Sequence, residues 1–207
     1  MPLLEARNLV KNFGARRVVD GASFFVEPGE IVGLLGRNGA GKTTSFRMAI
    51  GMLEADEGEV HFDDRDITKQ PMHRRARFGM GYLAQEPSVF RGMTVLENLL
   101  AVLELHEPTA AQRKNKACEL IERFGLRHKA EDLAETCSGG ERRRLEIARA
   151  MACKPRLLLL DEPFAAVDPH TVEELQGEVR RLAKNGIAIL VTDHNVQQTL
   201  RICDRAY

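Results

Sequence analysis

The sequence predicts an α/β fold, a parallel sheet preceded by antiparallel β structure and interrupted by an inserted helical lobe, on three observations. Ile31 to Leu35, Leu157 to Leu160 and Ile187 to Val191 are short, almost wholly apolar runs, as strands buried on both faces require. Helical segments alternate with them: Lys42 to Ile50, stopped by Gly51, and the stripe Val172, Leu175, Val179 and Leu182. Strands alternating with helices argue for parallel pairing. From about Glu86 to Cys153 the β signal disappears, and helical periodicity runs through Val95 to Leu105, Ala111 to Phe124 and Glu141 to Met151. No internal repeat or low-complexity linker is visible, so residues 1–207 are expected to form one domain, with 1–85 and 154–207 as its core and 86–153 as the lobe.

The remaining elements follow in order. Leu3 to Val26 alternates apolar and polar positions in short runs broken at Gly14 and Gly21, which suits antiparallel strands closed by the Pro28-Gly29 turn. Gly58 to Phe62 reads as part of a hairpin with Asp63-Asp64 at its turn, Met72 to Phe78 as a basic helical patch, and Met80 to Ala84 as a strand. With 207 residues, 43% of them hydrophobic, the chain can bury a sizeable core. Thirty Lys and Arg balance thirty Asp and Glu, so no global field draws it to nucleic acid, and no nucleic-acid partner is expected. At zero net charge the patches Arg74, Arg75 and Arg77, and Arg142 to Arg144, read as solvated faces. Cys118, Cys137, Cys153 and Cys203 form no CxxC pair and have no histidine at zinc-ligand spacing, so reduced thiols in a cytosolic protein are expected. The start Met1-Pro2-Leu3-Leu4-Glu5 lacks a basic stretch followed by a long apolar run, and no apolar segment approaches the roughly 20 residues needed to span a bilayer, so neither secretion nor self-insertion is expected.

The chemistry concentrates first at Gly36-Arg37-Asn38-Gly39-Ala40-Gly41-Lys42-Thr43, which matches G-x-x-x-x-G-K-[ST] between a strand and a helix. Glycines let successive backbone N–H groups face phosphate oxygens, and the helix start adds its positive dipole end. Lys42 is expected to bridge β and γ phosphates, Thr43 to ligate Mg²⁺, and Thr44 to reach the α phosphate. Next, the apolar strand Leu157 to Leu160 ends in Asp161-Glu162-Pro163, two acids where something cationic is wanted. Asp161 suits the Mg²⁺ shell and Glu162 the polarisation of an attacking water; a solvated acidic turn is the plain alternative for that segment taken alone.

Ser138-Gly139-Gly140-Glu141 then opens the helix carrying Arg142 to Met151, a second anion-binding helix start; a merely capped helix accounts for the string equally well. With its place ahead of Leu157 to Glu162, the chain resembles the ATP-binding cassette family, in which this second site serves the ATP held by the opposite subunit of a head-to-tail homodimer. The resemblance implies a P-loop NTPase core, ATP and Mg²⁺ as what it takes, and ATP hydrolysis as its activity. The family pattern L-S-G-G-Q has Cys137 at its first position here and Glu141 at its fifth. By the same resemblance Gln85 touches Mg²⁺ and water, Asp168 in Ala165-Ala166-Val167-Asp168 crosses the dimer interface, and His194 contacts the γ phosphate and orders Glu162. Phe13 is placed to stack on adenine, with a core aromatic as the alternative.

At finer grain the strings Gly79 to Glu86, Ser138 to Arg144, Asp161 to Ala165 and Thr192 to Val196 resemble the ATPases of lipopolysaccharide exporters, and next those of branched-chain amino acid importers. This resemblance implies membrane-embedded partner subunits, met through a groove near Gln85, Phe90 and Arg91, and a peripheral position on the cytoplasmic face of the inner membrane. Solvent-facing loop residues are the alternative for Phe90 and Arg91. Cassettes of this family run on past the position of Tyr207, so the family's C-terminal extension is expected to be absent.

Overall fold

A computed structural model describes residues 1–207 apart from Asn38 and Ala166. Two sheets organise it. The first is antiparallel, in the order β2-β1-β4-β5, from β1 (Leu4–Phe13), β2 (Arg16–Val26), β4 (Glu57–Phe62) and β5 (Arg65–Asp66). The second has the order β6-β7-β8-β3-β9, from β6 (Met80–Leu83), β7 (Leu157–Asp161), β8 (Ala188–Thr192), β3 (Ile31–Leu34) and β9 (Arg205–Ala206), and each of its pairings is parallel. Around them lie α1 (Lys42–Ile50), α2 (Met72–Arg77), α3 (Val95–Leu103), α4 (Ala110–Arg123), α5 (Gly139–Ala152), α6 (Pro169–Lys184) and α7 (Val196–Leu200).

Strand periodicity decides what packs on each face of the parallel sheet. Leu158 and Leu160 of β7, with Ile189 and Val191 of β8, join a core built with Leu99, Leu120, Leu145 and Leu175 from α3 to α6. Leu157 and Leu159, with Ala188 and Leu190, face the other way, onto Leu4, Phe46, Ile50 and Val60 from β1, α1 and β4. Each β7 leucine is fully buried, which stabilises the fold by about 1.5–3 kcal/mol per side chain. Alternate residues thus serve two cores, which is why the run shows no polar alternation.

Gly21 does not end a strand. It lies inside β2 with φ 69°, where the pairing slips by one residue between Leu9↔Ala22 and Lys11↔Val19. A bulge absorbs the extra residue that reads as a break in the alternation. Asp63 and Asp64 do form the β4–β5 turn, with φ 54° and 61°, the positive pair of a tight hairpin.

The basic patches depart from the solvated reading at two positions. Arg75 is only 2% exposed and donates to the carbonyls of Met48 (2.9 Å) and Ala49 (2.7 Å), in the last turn of α1, and of Thr68 (2.9 Å) and Gln70 (2.7 Å). It adds to the capping of the helix end, where the Met48 carbonyl also accepts from the Gly51 N–H at 3.2 Å, and burial lowers its pKa to about 10. Arg143 on α5 is 7% exposed, and its partners belong to the site.

Candidate active site

Because β3, β6, β7 and β8 are mutually parallel, their C-terminal ends share one edge of the sheet, where α/β folds collect ligands. The segment 36–44 follows β3, Gln85 follows β6, Glu162 follows β7, and Asp193 and His194 follow β8. A cleft of about 330 Å³ opens there, lined by Gly39, Ala40, Gly41, Lys42, Thr43, Thr44, Glu162 and His194, with Arg16 and Val18 from β2.

The loop leads into α1 through Gly41, whose φ is 83°. A Cβ at this position would lie 2.7 Å from the Val18 carbonyl oxygen and 3.0 Å from a Val19 methyl, so only glycine fits against β2. No side chain caps α1 and its first turn holds no acid, so its N–H groups face the cleft without internal competition. The Lys42 ammonium donates to the carbonyls of Gly36 (2.6 Å) and Arg37 (3.0 Å), which holds it across its own loop. Asn38, also expected in this set, lies outside the described residues.

Glu162 is the focus of the cleft. Its backbone is left-handed at φ 44°, rare for a residue with a side chain, and its N–H donates to the Thr192 carbonyl at 2.8 Å, tying the ends of β7 and β8 together. Gln85 Nε2 donates to Glu162 Oε2 at 2.9 Å, and His194 Nδ1 lies 3.3 Å from the same oxygen. Asp161 is 2% exposed, with the Tyr82 hydroxyl 3.5 Å away. Burial raises its pKa; the Arg47 charge opposes this and the Glu162 charge adds to it. A carboxyl so placed gains from a cation, and Thr43, Gln85 and Asp161 offer hydroxyl, amide and carboxylate oxygens, the hard donors that Mg²⁺ prefers. Among the described residues no cluster of three His, Cys, Asp or Glu could hold a metal by itself, so these donors fit an ion that comes with phosphate oxygens.

Ser138, Gly139, Gly140 and Asp168 do not line the cleft. Ser138 Oγ accepts from Glu141 N at 3.2 Å, and the Glu141 carboxylate accepts from Ser138 N at 2.7 Å, a complete capping box on α5. Gly140 has a packing reason of its own: a Cβ would meet the Thr171 methyl at 2.3 Å. Thr171 in turn donates through Oγ1 to Asp168 (2.6 Å), the N-cap of α6, and this holds the Asp168 carboxyl below the usual range. Cys137 is buried in the helical core, where it serves as a small apolar residue. Ala166 lies outside the described residues.

Phe13 is 52% exposed, so it is not a core aromatic, and it does not line the cleft. Arg91 is exposed, and Phe90 is partly covered by the Arg149 guanidinium, 4.3 Å from its ring centroid. Buried Asn98 accepts from Phe90 N at 2.9 Å and donates to Phe90 O at 3.0 Å, so this loop is held. The sequence reading missed Arg16, Val18 and Arg143; nothing local marks the first two, which reach the cleft only because β2 runs beside Gly41.

A family profile described as ABC transporter matches residues 19–165. The lipopolysaccharide export system ATP-binding protein LptB of Haemophilus influenzae is 51% identical to this chain, with 100% of this chain and 86% of that protein covered. Its namesake in Escherichia coli (strain K12) is 50% identical at the same coverage. Among solved structures, the ADP conformation of MJ1267, an ATP-binding cassette of an ABC transporter, superposes with a TM-score of 0.91 at 31% identity, covering 100% of this chain and 87% of that one. A nucleotide-free ATP-binding cassette from an ABC transporter gives 0.90 at 32% identity with the same coverage. With the glycine-rich loop, the strand-end acids and the parallel core on one sheet edge, the chain belongs to the ABC transporter family, as one of its ATP-binding cassettes, and hydrolyses ATP taken with Mg²⁺.

Proposed function

We propose that this cassette powers the export of lipopolysaccharide from the inner membrane, as a homodimer held on the cytoplasmic face by membrane-embedded subunits. The observation that carries the catalytic part is the convergence of Gln85 and His194 on one oxygen, Oε2, of Glu162 at the cleft. Two partners on Oε2 fix the carboxylate and leave Oε1 for the attacking water. Each ATP lies between residues 36–44 of one subunit and Ser138, Gly139 and Gly140 of the other, with Asp168 reaching across. Lys42 bridges the β and γ phosphates, Thr44 holds the α phosphate and Phe13 stacks on adenine. Thr43, Asp161 and Gln85 would hold a Mg²⁺ ion, which would supply positive charge to offset that of the phosphate oxygens. Glu162 takes a proton from water as the water oxygen bonds to the γ phosphorus; the bond from that phosphorus to the bridging oxygen breaks, and ADP and phosphate leave. Residues 86–153 act as the lobe that carries Ser138 to the partner and receives the membrane subunit near Gln85, Phe90 and Arg91.

The cargo rests on the relatives at 50% and 51% identity, both of which are lipopolysaccharide export proteins by name. The alternative, a branched-chain amino acid importer, gains no support from them. Among the described residues no helix is long and apolar enough to cross a membrane, in keeping with a path through the bilayer supplied by other chains. Glu162→Gln is expected to lower turnover by about 100-fold or more while ATP is still bound. Gel filtration at saturating MgATP should then show a persistent dimer; a monomer under those conditions overturns the split-site scheme. Co-purified membrane subunits that release lipopolysaccharide from vesicles on ATP addition support the cargo, and an amino-acid permease pair in their place removes it.

A further inference from the structure

We infer that the buried ion pair of Arg143 and Glu146 is a positioning element for hydrolysis, one that sets the backbones carrying Gln85 and Glu162. The inference rests on the reading of Glu162 as the base. Arg143 and Glu146 sit three residues apart on α5, joined at 2.8 Å, with side chains 8% and 3% exposed. The guanidinium donates through Nε to Pro163 O (3.1 Å) and through its terminal nitrogens to Asp161 O (3.3 Å), Glu162 O (3.4 Å) and Ala84 O (2.8 Å). Glu146 turns its other oxygen to the backbone N–H of Ser88 at 2.6 Å.

Gln85 is therefore gripped on both sides, at the carbonyl before it by Arg143 and at the amide three residues on by Glu146. Glu162 is gripped at its own carbonyl and at those of both neighbours. Its left-handed backbone is a conformation that persists only where the surroundings over-determine it, and these three bonds are part of that constraint. One planar fork with donors on three nitrogens meets this spread of acceptors; an ammonium cannot. Because α5 begins beside Ser138, a displacement of that helix reaches Gln85 and Glu162 together through this pair.

The test pairs Arg143→Met/Glu146→Met, which replaces the ion pair by apolar packing without stranding a buried charge, with Arg143→Lys, which keeps the charge. Melting, affinity for trinitrophenyl-ATP, kcat, KM for MgATP and hydrogen exchange over residues 84–88 are measured on each. The double variant is expected to melt near the wild type and bind nucleotide within about threefold, yet lose about tenfold or more in kcat and lose protection at Ser88. Arg143→Lys falls between the two. A folded double variant with wild-type kcat overturns the inference; if that variant does not fold, Arg143→Lys decides, a kcat within about twofold of wild type overturning it and a fall of about fivefold at unchanged affinity supporting it. Glu162→Gln assayed alongside separates the claims. Retained turnover there removes Glu162 as the base, whatever the Arg143 variants do, whereas lost turnover there with normal kcat in the double variant removes the positioning role alone.

Discussion

Helix α1 and helix α5 both begin at small residues that the sequence marks as anion sites, yet their first turns are built in opposite ways. At α1, Gly41 provides no cap, no acid is present, and the only charge is the Lys42 ammonium. At α5, Ser138 and Glu141 satisfy each other's backbone N–H groups, and a carboxylate sits in the first turn. The first end is left open to an anion within one chain. The second is satisfied within its own chain and carries a negative charge that works against an isolated anion. A phosphate reaches Ser138 with profit only when it is already neutralised elsewhere, which is the arrangement a site split between two subunits supplies. The glycines differ in purpose too: Gly41 lets the helix start lie against β2, while Gly140 lets α5 pass Thr171 of α6.

The contrast predicts unequal losses. Lys42→Ala is expected to have the largest effect, a fall of about 10²–10³ in turnover with weakened ATP binding by the monomer, measured by phosphate release and trinitrophenyl-ATP titration. Near-normal binding after that change would remove α1 as the primary phosphate site. Gly41→Ala comes next, because the left-handed backbone costs about 1–2 kcal/mol and the new methyl meets the Val18 carbonyl. Urea unfolding should show that loss even without nucleotide, and unchanged stability would mean that the loop can shift.

Legibility in the sequence followed the span of each interaction. β7 and β8 were readable because four or five adjacent residues carry the whole signal of burial on both faces. The place of the candidate residues at the cleft was readable where their signal is contiguous, as in the glycine-rich run that ends at Lys42 and Thr43 and in the two acids that close the apolar strand β7. Arg75 and Arg143 were misread as solvated because an arginine is buried only when carbonyls from elsewhere converge on it, here residues 48, 49, 68 and 70 in one case and 84 and 161–163 in the other. Periodicity on α5 hints at nothing of the kind, since the acceptors lie on other strands' ends. Arg16 and Val18 were invisible for the same reason.

Ser138→Ala sharpens the comparison at the second helix. It removes a hydroxyl that caps Glu141 N, so a stability loss of about 1 kcal/mol is expected from the cap alone. Monomer affinity for ATP should stay unchanged, because Ser138 lies outside the cleft of its own chain, while turnover falls with the dimer. Calorimetry that finds weakened ATP binding by the monomer would contradict the split.

The smallest effect on turnover is expected of Glu141→Gln, and the pH dependence of its stability carries the information. Burial pushes the Glu141 carboxyl up, but the Ser138 N–H and the His128 imidazole, 2.9 Å away, outweigh it and hold the pKa at about 2. A carboxyl whose folded pKa lies below its unfolded one stabilises the fold fully above the unfolded value, near 4.3, and loses that stabilisation as pH falls through the folded value. Glutamine keeps an oxygen for the Ser138 N–H and loses only the charge. The wild type should therefore exceed Glu141→Gln in urea stability at pH 7 by up to about 3 kcal/mol, the linkage value of a pKa that falls from about 4.3 to about 2, and the gap should close progressively below about pH 4.3. If the gap is the same at pH 7 and pH 3, the carboxylate acts by shape alone, and the charge that sets α5 apart from α1 has no energetic weight.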